Sequence, residues 1–151
     1  MKLTVLGARG SVAVCGHKFS EFGGATTCYL IETEGEAIFL DAGSGIMESP
    51  MVSDKNVSIF LTHPHLDHLL GLPFFPVLAE AEKQVTIFGK TRKLLSVKEQ
   101  VDGVYSNPLW PVKMDEYPSR LMYKDLEEER EICRTFSSAQ WKGCPRRRKR
   151  P

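Results

Sequence analysis

The sequence predicts an α/β protein with a mixed sheet. Short apolar or alternating segments bounded by turn residues dominate the first half, which is typical of strands. Segments with helical spacing of apolar residues alternate with further strands in the second half, which favours an α/β arrangement. With 151 residues, 42% hydrophobic and 26% charged, the chain has the composition of a single globular domain that can bury a core.

Four strands are predicted before residue 63. They span residues 3–7, 26–33, 36–41 and 57–62, and the second and third are joined by the turn Glu34-Gly35, which predicts a hairpin. The third strand ends in a glycine-rich turn, Asp41-Ala42-Gly43-Ser44-Gly45. The fourth is continuously apolar, as expected of a strand buried on both faces.

The second half of the chain is expected to alternate between helix and strand. A helix is predicted over residues 73–81, since proline is tolerated in the first turn, and another over 91–101. Strands are predicted at 85–88 and 120–123. Residues 103–118 contain Pro108, Pro111 and Pro118 and are expected to form a long loop.

The charge is unevenly distributed. Residues 132–151 contain seven Lys and Arg and no Asp or Glu, whereas residues 1–131 contain 13 basic and 19 acidic residues, so the segments carry +7 and −6. We therefore divide the chain into a domain, 1–131, and a basic tail, 132–151, that is expected to be disordered. The acidic domain argues against nucleic-acid binding through the domain's overall charge, while the tail alone could provide it.

The sequence gives no sign of export or membrane insertion. No run of about 18 apolar residues is present, and the segment after Met1 is too short for a secretory signal and already has the pattern of a strand. We expect a cytoplasmic protein. The four cysteines form no Cys-x-x-Cys pair and are expected to be free thiols.

A cluster of metal-ligand residues follows the fourth predicted strand: His63-Pro64-His65-Leu66-Asp67-His68. In extended backbone, residues i and i+2 point the same way, so His63 and His65 can hold one ion. Asp67 and His68, at the turn that follows, can reach a second. The alternative is that these histidines cap a helix or lie on the surface, but three of the chain's four histidines within six residues favour a metal site.

Imidazole and carboxylate ligands suit zinc, with manganese and iron as alternatives. Two ions about 3.5–4 Å apart can hold a bridging hydroxide and stabilise a displacement at phosphorus or carbonyl carbon. The cluster therefore predicts a two-metal hydrolase site.

The cluster and three upstream motifs together resemble the metallo-β-lactamase superfamily. His-x-His-x-Asp-His after a buried strand is its hallmark. The upstream motifs are similar to those of its phosphodiesterase-like branch, which includes ribonuclease Z-type enzymes and cyclic phosphodiesterases. They are Leu6-Gly7-Ala8-Arg9-Gly10-Ser11, Phe22-Gly23-Gly24-Ala25-Thr26-Thr27-Cys28 and Leu40-Asp41-Ala42-Gly43-Ser44-Gly45-Ile46. The resemblance covers about residues 1–130.

The resemblance implies an αββα sandwich with the site at one sheet edge, and a metal-dependent phosphodiesterase as the function. It implies that His63 and His65 bind one ion and that Asp67 and His68 bind the other. Asp67 is also implied as a catalytic proton acceptor, and Asp41 as a residue that orients the ligands without binding metal. The alternative for Asp41 is a plain turn residue. The net charge of −6 over residues 1–131 favours a small-molecule or nucleotide phosphodiester as the substrate over structured RNA.

The sequence departs from the family in its second half. The family carries further ligands there, including histidines, but no histidine follows His68. The fold is therefore expected to be truncated to its N-terminal half, with a tail from an altered reading frame or a genuine basic extension. The alternative function is a non-catalytic fragment that binds metal weakly, or nucleic acid through its tail. An unpaired sheet edge would favour oligomers.

Overall fold

The computed structural model describes residues 1–126, which form one six-stranded sheet and a short helix. The predicted boundary at residue 131 and the tail 132–151 lie outside these residues. The strands are β1 (Lys2–Gly7), β2 (Cys28–Glu32), β3 (Glu36–Leu40), β4 (Asn56–Phe60), β5 (Gln84–Gly89) and β6 (Arg120–Asp125), and the helix is α1 (Val97–Asp102). All six predicted strands are confirmed to within about two residues at each end.

The sheet is mixed, as predicted, and its strands neighbour one another in chain order from β1 to β6. The pairs β1–β2 and β2–β3 are antiparallel, whereas β3–β4, β4–β5 and β5–β6 are parallel. The carboxyl ends of β3 to β6 therefore share one edge of the sheet. In open α/β sheets this edge is where ligands bind.

One face of the sheet carries the core. Alternate residues of the central strands are fully buried there, among them Leu30, Phe39, Ile59 and Ile87. They pack against the segment that follows the histidine cluster, where Phe75 meets Phe39 edge to face with ring centroids 4.8 Å apart. Burying each such side chain stabilises the fold by about 1.5–3 kcal/mol, so the core fixes the segment after the cluster firmly onto the sheet.

The opposite face of the sheet is also apolar. The register aligns Leu3, Ile31 and Ile38 in one row, with Ile31 and Ile38 partly buried. Leu3 is 63% exposed and Val5 is 58% exposed. Apolar residues on both faces are typical of a sheet that forms an inner layer.

The predicted helix over residues 73–81 is wrong. The chain forms two short 3₁₀ turns instead, Leu72–Phe74 and Pro76–Ala79. Pro73 and Pro76 lack the N–H groups that a continuous helix needs, and Pro76 would clash with the preceding turn of a helix. Phe75 between the turns is extended and buried, so burial and proline together replace the helix.

The predicted helix over residues 91–101 is shorter than expected. It begins after Ser96, whose side chain accepts a hydrogen bond from the Glu99 amide while Glu99 bonds back to the Ser96 amide. This capping box starts the helix at Val97. Residues 91–95 form a tight turn instead. The predicted loop, 103–118, contains the 3₁₀ turn Met114–Glu116.

Across residues 1–126, no helix has the length and apolar character that a membrane-spanning segment requires.

Candidate metal centre

The histidine cluster lies at the carboxyl edge of the parallel strands, immediately beyond β4. The backbone stays extended through His65 and then enters a 3₁₀ turn over Leu66–His68. The extended part places His63 and His65 on the same side, with His63 Nε2 3.1 Å from His65 Nδ1. The turn brings the His68 ring back to His63, with ring centroids 4.1 Å apart. The three predicted histidines therefore lie together.

Asp41 lies directly beneath this cluster, at the end of β3. It is buried, and its carboxylate accepts hydrogen bonds from the Thr62 amide at 2.8 Å and the Thr62 hydroxyl at 3.0 Å. Its second oxygen is 2.7 Å from His68 Nδ1. The residue takes a left-handed conformation, with φ 61°, an uncommon backbone for a residue other than glycine. Asp41 thus contacts the ring of a predicted ligand.

These contacts assign the protons on two of the histidine rings. A carboxylate only accepts, so the Thr62 hydroxyl donates to Asp41 and His68 donates through Nδ1–H. The Thr62 oxygen, 3.0 Å from His63 Nδ1, then accepts from that nitrogen. Both rings carry their proton on Nδ1 and present the Nε2 lone pair. That lone pair is what a metal ion requires of a neutral imidazole.

Asp67 is held by the loop after β1. The Ser11 amide donates to Asp67 Oδ2 at 2.8 Å, from a residue with φ 69°. This hydrogen bond is the main reason that the pKa of Asp67 is lowered, so the carboxyl is ionised at neutral pH. Sequence reasoning missed Ser11, although it belongs to one of the quoted motifs, because a backbone amide leaves no residue-type signal.

The pKa of His63 is also lowered, first by burial and then by its neighbours His68 and His65. A lowered pKa keeps the imidazole neutral and able to bind metal near neutral pH. His17, the remaining histidine, is exposed in the loop after β1.

Close backbone packing fixes the cluster against the glycine-rich turn after β3. The Ala42 amide donates to the His68 carbonyl at 2.8 Å, and the Gly71 amide donates to the Ala42 carbonyl at 3.0 Å. A Cβ at Gly71 would lie 2.1 Å from the Gly43 carbonyl oxygen, and one at Gly43 would lie 2.4 Å from the Asp67 carbonyl oxygen. Both positions therefore require glycine for this close approach.

The donor atoms fit metal in pairs. Tetrahedral zinc with bonds of about 2.0–2.1 Å places two ligand atoms roughly 3.3 Å apart. The His63–His65 pair is separated by 3.1 Å, and Asp67 Oδ2 lies 3.4 Å from His68 Nε2. No three His, Cys, Asp or Glu side chains within residues 1–126 are grouped to hold one ion. The described residues therefore bring candidate donor atoms together in two pairs, His63 with His65 and Asp67 with His68.

Comparison with known proteins identifies the family. The model of the metallo-β-lactamase superfamily matches residues 22–83. The chain is 32% identical to ribonuclease Z of Pyrococcus abyssi over 109 residues, covering 64% of this chain and 34% of the relative. It is 31% identical to ribonuclease Z of Thermococcus kodakarensis over 105 residues, covering 62% and 32%. The chain thus spans about a third of the length of these relatives.

Solved structures agree in fold. The human short form of tRNase Z superposes with a TM-score of 0.54 at 19% identity, over 83% of this chain and 45% of that one. A diphosphatase of the PhnP family superposes with a TM-score of 0.55 at 18% identity, over 84% and 51%. Over the part of the chain that they cover, these matches support a ribonuclease Z-like member of the metallo-β-lactamase superfamily.

Proposed function

We propose that this chain carries the first half of the metal centre of a phosphodiesterase that acts on RNA. The observation that carries the proposal is the pair of donor sets, His63 with His65 and Asp67 with His68, at one sheet edge. The network of Asp41 and Thr62 supports it, because it places the proton of His63 and of His68 on Nδ1 and so leaves Nε2 as the nitrogen with the lone pair.

In this proposal His63 and His65 hold one ion, and Asp67 and His68 hold the second. Zinc fits the nitrogen and oxygen donors, with manganese and iron as alternatives. Bound ions at such a centre supply a water of lowered pKa and positive charge for the oxygens of a phosphodiester. Asp41 orients His68 without binding metal.

We propose that Asp67 acts mainly as a metal ligand and only secondarily as a base. Its lowered pKa keeps the carboxylate charged, which suits a ligand, and makes it a weak base. A part for Asp67 in accepting a proton stays a prediction from the family resemblance.

The cytoplasmic location and an oligomeric state also stay predictions.

RNA is proposed as the substrate class because of the relatives. Those with about a third sequence identity are ribonucleases Z, and a structural neighbour is a tRNase Z. The net charge of −6 over residues 1–131 favours a small nucleotide phosphodiester. We weigh the relatives more heavily, since a site can be locally basic on an acidic protein.

A second function is favoured by the number of ligands. A catalytic zinc usually has three protein ligands, and residues 1–126 offer two for each ion. A chain that binds metal weakly and does not hydrolyse RNA would match that count. The two functions differ in hydrolysis rather than in metal binding.

Metal content of the purified full chain tests the site. We expect about two ions per chain by elemental analysis. The variant His63→Ala should lose at least one of them, while His17→Ala, an exposed histidine outside the cluster, should lose none. Equal metal content in all three proteins would refute the assignment.

Hydrolysis then separates the two functions. Cleavage of an oligoribonucleotide by the zinc-loaded chain, abolished in His63→Ala/His65→Ala, would support the phosphodiesterase. Bound metal without cleavage would favour the non-catalytic function. Cleavage that survives the double substitution would overturn the mechanism.

A further inference from the structure

A basic turn lies beside the histidine cluster and is not used by the metal site. It follows β5 and contains Lys90, Arg92 and Lys93, all exposed, with no acidic residue from Gly89 to Ser96. Within residues 1–126, the lysines in ion pairs are Lys2, Lys55 and Lys98, so none belongs to this turn. Its basic side chains are therefore exposed and form no ion pair with a carboxylate of residues 1–126.

The turn is held in one conformation. The Arg92 amide donates to the Leu95 carbonyl at 3.0 Å, and the Leu95 amide donates back at 2.8 Å. Lys93 and Leu94 between them have φ 48° and 68°, where hairpin turns usually carry Asn-Gly. The Gln100 side chain donates to the carbonyls of Lys90 and Leu95, at 3.0 and 2.9 Å. A strained turn fixed this closely is a candidate for function.

Arg92 reaches from this turn to the metal-ligand segment. Its guanidinium donates to the carbonyl of Thr62, the residue before His63, at 2.8 Å. That contact uses one of five N–H donors and leaves the others available. Lys90, Arg92, His63 and Pro64 line the same cleft, between the ends of β4 and β5.

The cleft is too small to enclose a ligand. Its volume of about 10 Å³ is roughly that of one water molecule, so a ligand must lie across its mouth. Among residues 1–126, two carboxylates near the turn accept hydrogen bonds from neighbouring groups. Asp125 accepts from the Thr91 hydroxyl and the Val97 amide, both at 2.8 Å, and Glu99 is bonded to Ser96. The cleft is lined by two exposed basic side chains, Lys90 and Arg92.

We propose that Lys90 and Arg92 bind an RNA phosphate that neighbours the scissile one. Arginine suits this role because its planar guanidinium can contact two phosphate oxygens at once, and lysine adds a point charge. The contact of Arg92 with Thr62 sets the distance between this phosphate and the metal ligands. The substrate preference rests on the proposed function, but the binding of a phosphate backbone by the cleft does not require hydrolysis.

The test compares two double variants of the full chain. Lys90→Gln/Arg92→Gln removes the cleft charges, and Lys113→Gln/Arg120→Gln removes the same charge at exposed positions elsewhere. Arg120 begins β6, at the opposite end of the sheet from Lys90. Binding of a labelled ten-nucleotide oligouridylate is measured by fluorescence anisotropy at several salt concentrations, at 4 °C with the oligonucleotide verified as intact.

We expect the cleft variant to bind roughly tenfold more weakly than wild type, and the control variant to stay within about twofold. Because both side chains are proposed to neutralise one phosphate of a single strand, the cleft variant should also flatten the salt dependence by about 0.7 in log–log slope. Equal reductions in affinity in the two variants would overturn the proposal. Competition by micromolar inorganic phosphate would do so as well, because it would assign the cleft to a free anion.

Failure of the proposed function is distinguishable from failure of the cleft. Wild-type chain that binds the oligonucleotide through Lys90 and Arg92 but never cleaves it with zinc would refute only the phosphodiesterase. If the double variant does not fold, as judged by circular dichroism, Lys90→Gln alone carries the test. It should then bind severalfold more weakly than Lys113→Gln, and equal affinities would overturn the proposal.

Discussion

Thr62 connects the two predicted ligand pairs through a single hydroxyl. That hydroxyl lies 3.0 Å from both Asp41 oxygens and 3.0 Å from His63 Nδ1. Because Asp41 also holds His68, one small network sets which nitrogen each ring presents. Residues of this kind tune metal affinity without touching the ion.

Replacing Thr62 should therefore weaken metal binding. We expect Thr62→Val to lower zinc affinity about 10- to 100-fold, while Thr62→Ser, which keeps the hydroxyl, should stay near wild type. Competition with a chromophoric chelator measures the affinity. The ¹⁵N shifts of His63 should show its proton moving away from Nδ1 in the valine variant alone. Equal zinc affinity in the two variants would remove the proposed role.

The residues behind the site differ in how far the sequence could reveal them. The four candidate ligands were predicted from side-chain type and local spacing, whereas the role of Asp41 was predicted from the family resemblance alone. Ser11 acts through its backbone amide on a residue 56 positions away. Arg92 acts on a carbonyl 30 positions away. Contacts of this kind join residues that are distant in the chain. They depend on the strand register, which local sequence patterns do not reveal.

At the scale of elements, the strands were predicted to within about two residues, whereas one predicted helix is absent and the other is shorter than predicted. The alternation of apolar residues in β2 and β3 is strong enough that the observed strands lie almost where it predicted them. The segment from 73 to 81 has apolar residues at helical spacing, but Pro76 and the burial of Phe75 replace the helix with two turns. The capping box at Ser96 was present in the sequence and would have located the start of α1.

The contact between the Gly43 turn and Gly71 gives a prediction about stability. Because a methyl group at residue 71 would lie 2.1 Å from the Gly43 carbonyl oxygen, Gly71→Ala must displace backbone. We expect a loss of about 1–3 kcal/mol in the free energy of unfolding, measured by urea denaturation.

Gly35 provides the matched control for that substitution. A Cβ there meets nothing within 4 Å, so Gly35→Ala should leave stability within about 0.5 kcal/mol of wild type. Equal stability of both variants would show that the backbone of the turn after β3 can move to accommodate the added methyl group at little cost in free energy. The site would then not depend on this close approach.

At the scale of the molecule, charge separates the chain into two parts. The tail of residues 132–151 has a net charge of +7, beside a domain of −6. Two regions could therefore bind nucleic acid, the tail and the cleft of Lys90 and Arg92. They differ because a charge run binds any polyanion, whereas the cleft has a fixed geometry beside the metal ligands.

Neutralising the tail tests its share of binding. We expect replacement of the five basic residues at 146–150 by glutamine to weaken oligonucleotide binding at least tenfold and to flatten the salt slope by up to about 3.5. Anisotropy in the full-length chain measures both quantities. Unchanged affinity would mean that the tail is a solvated charge run, and the prediction that it binds nucleic acid would be wrong.

The order of the strands has a consequence for how the centre assembles during synthesis. Each strand pairs with the one made just before it, so the sheet can grow from one side without waiting for distant segments. Ser11, Asp41, Thr62 and the four ligands all precede residue 69, and β5 begins only at Gln84. A nascent chain can therefore bring its proposed donor pairs together while its last two strands are still unmade, so the proposed metal site would not have to wait for the completed sheet.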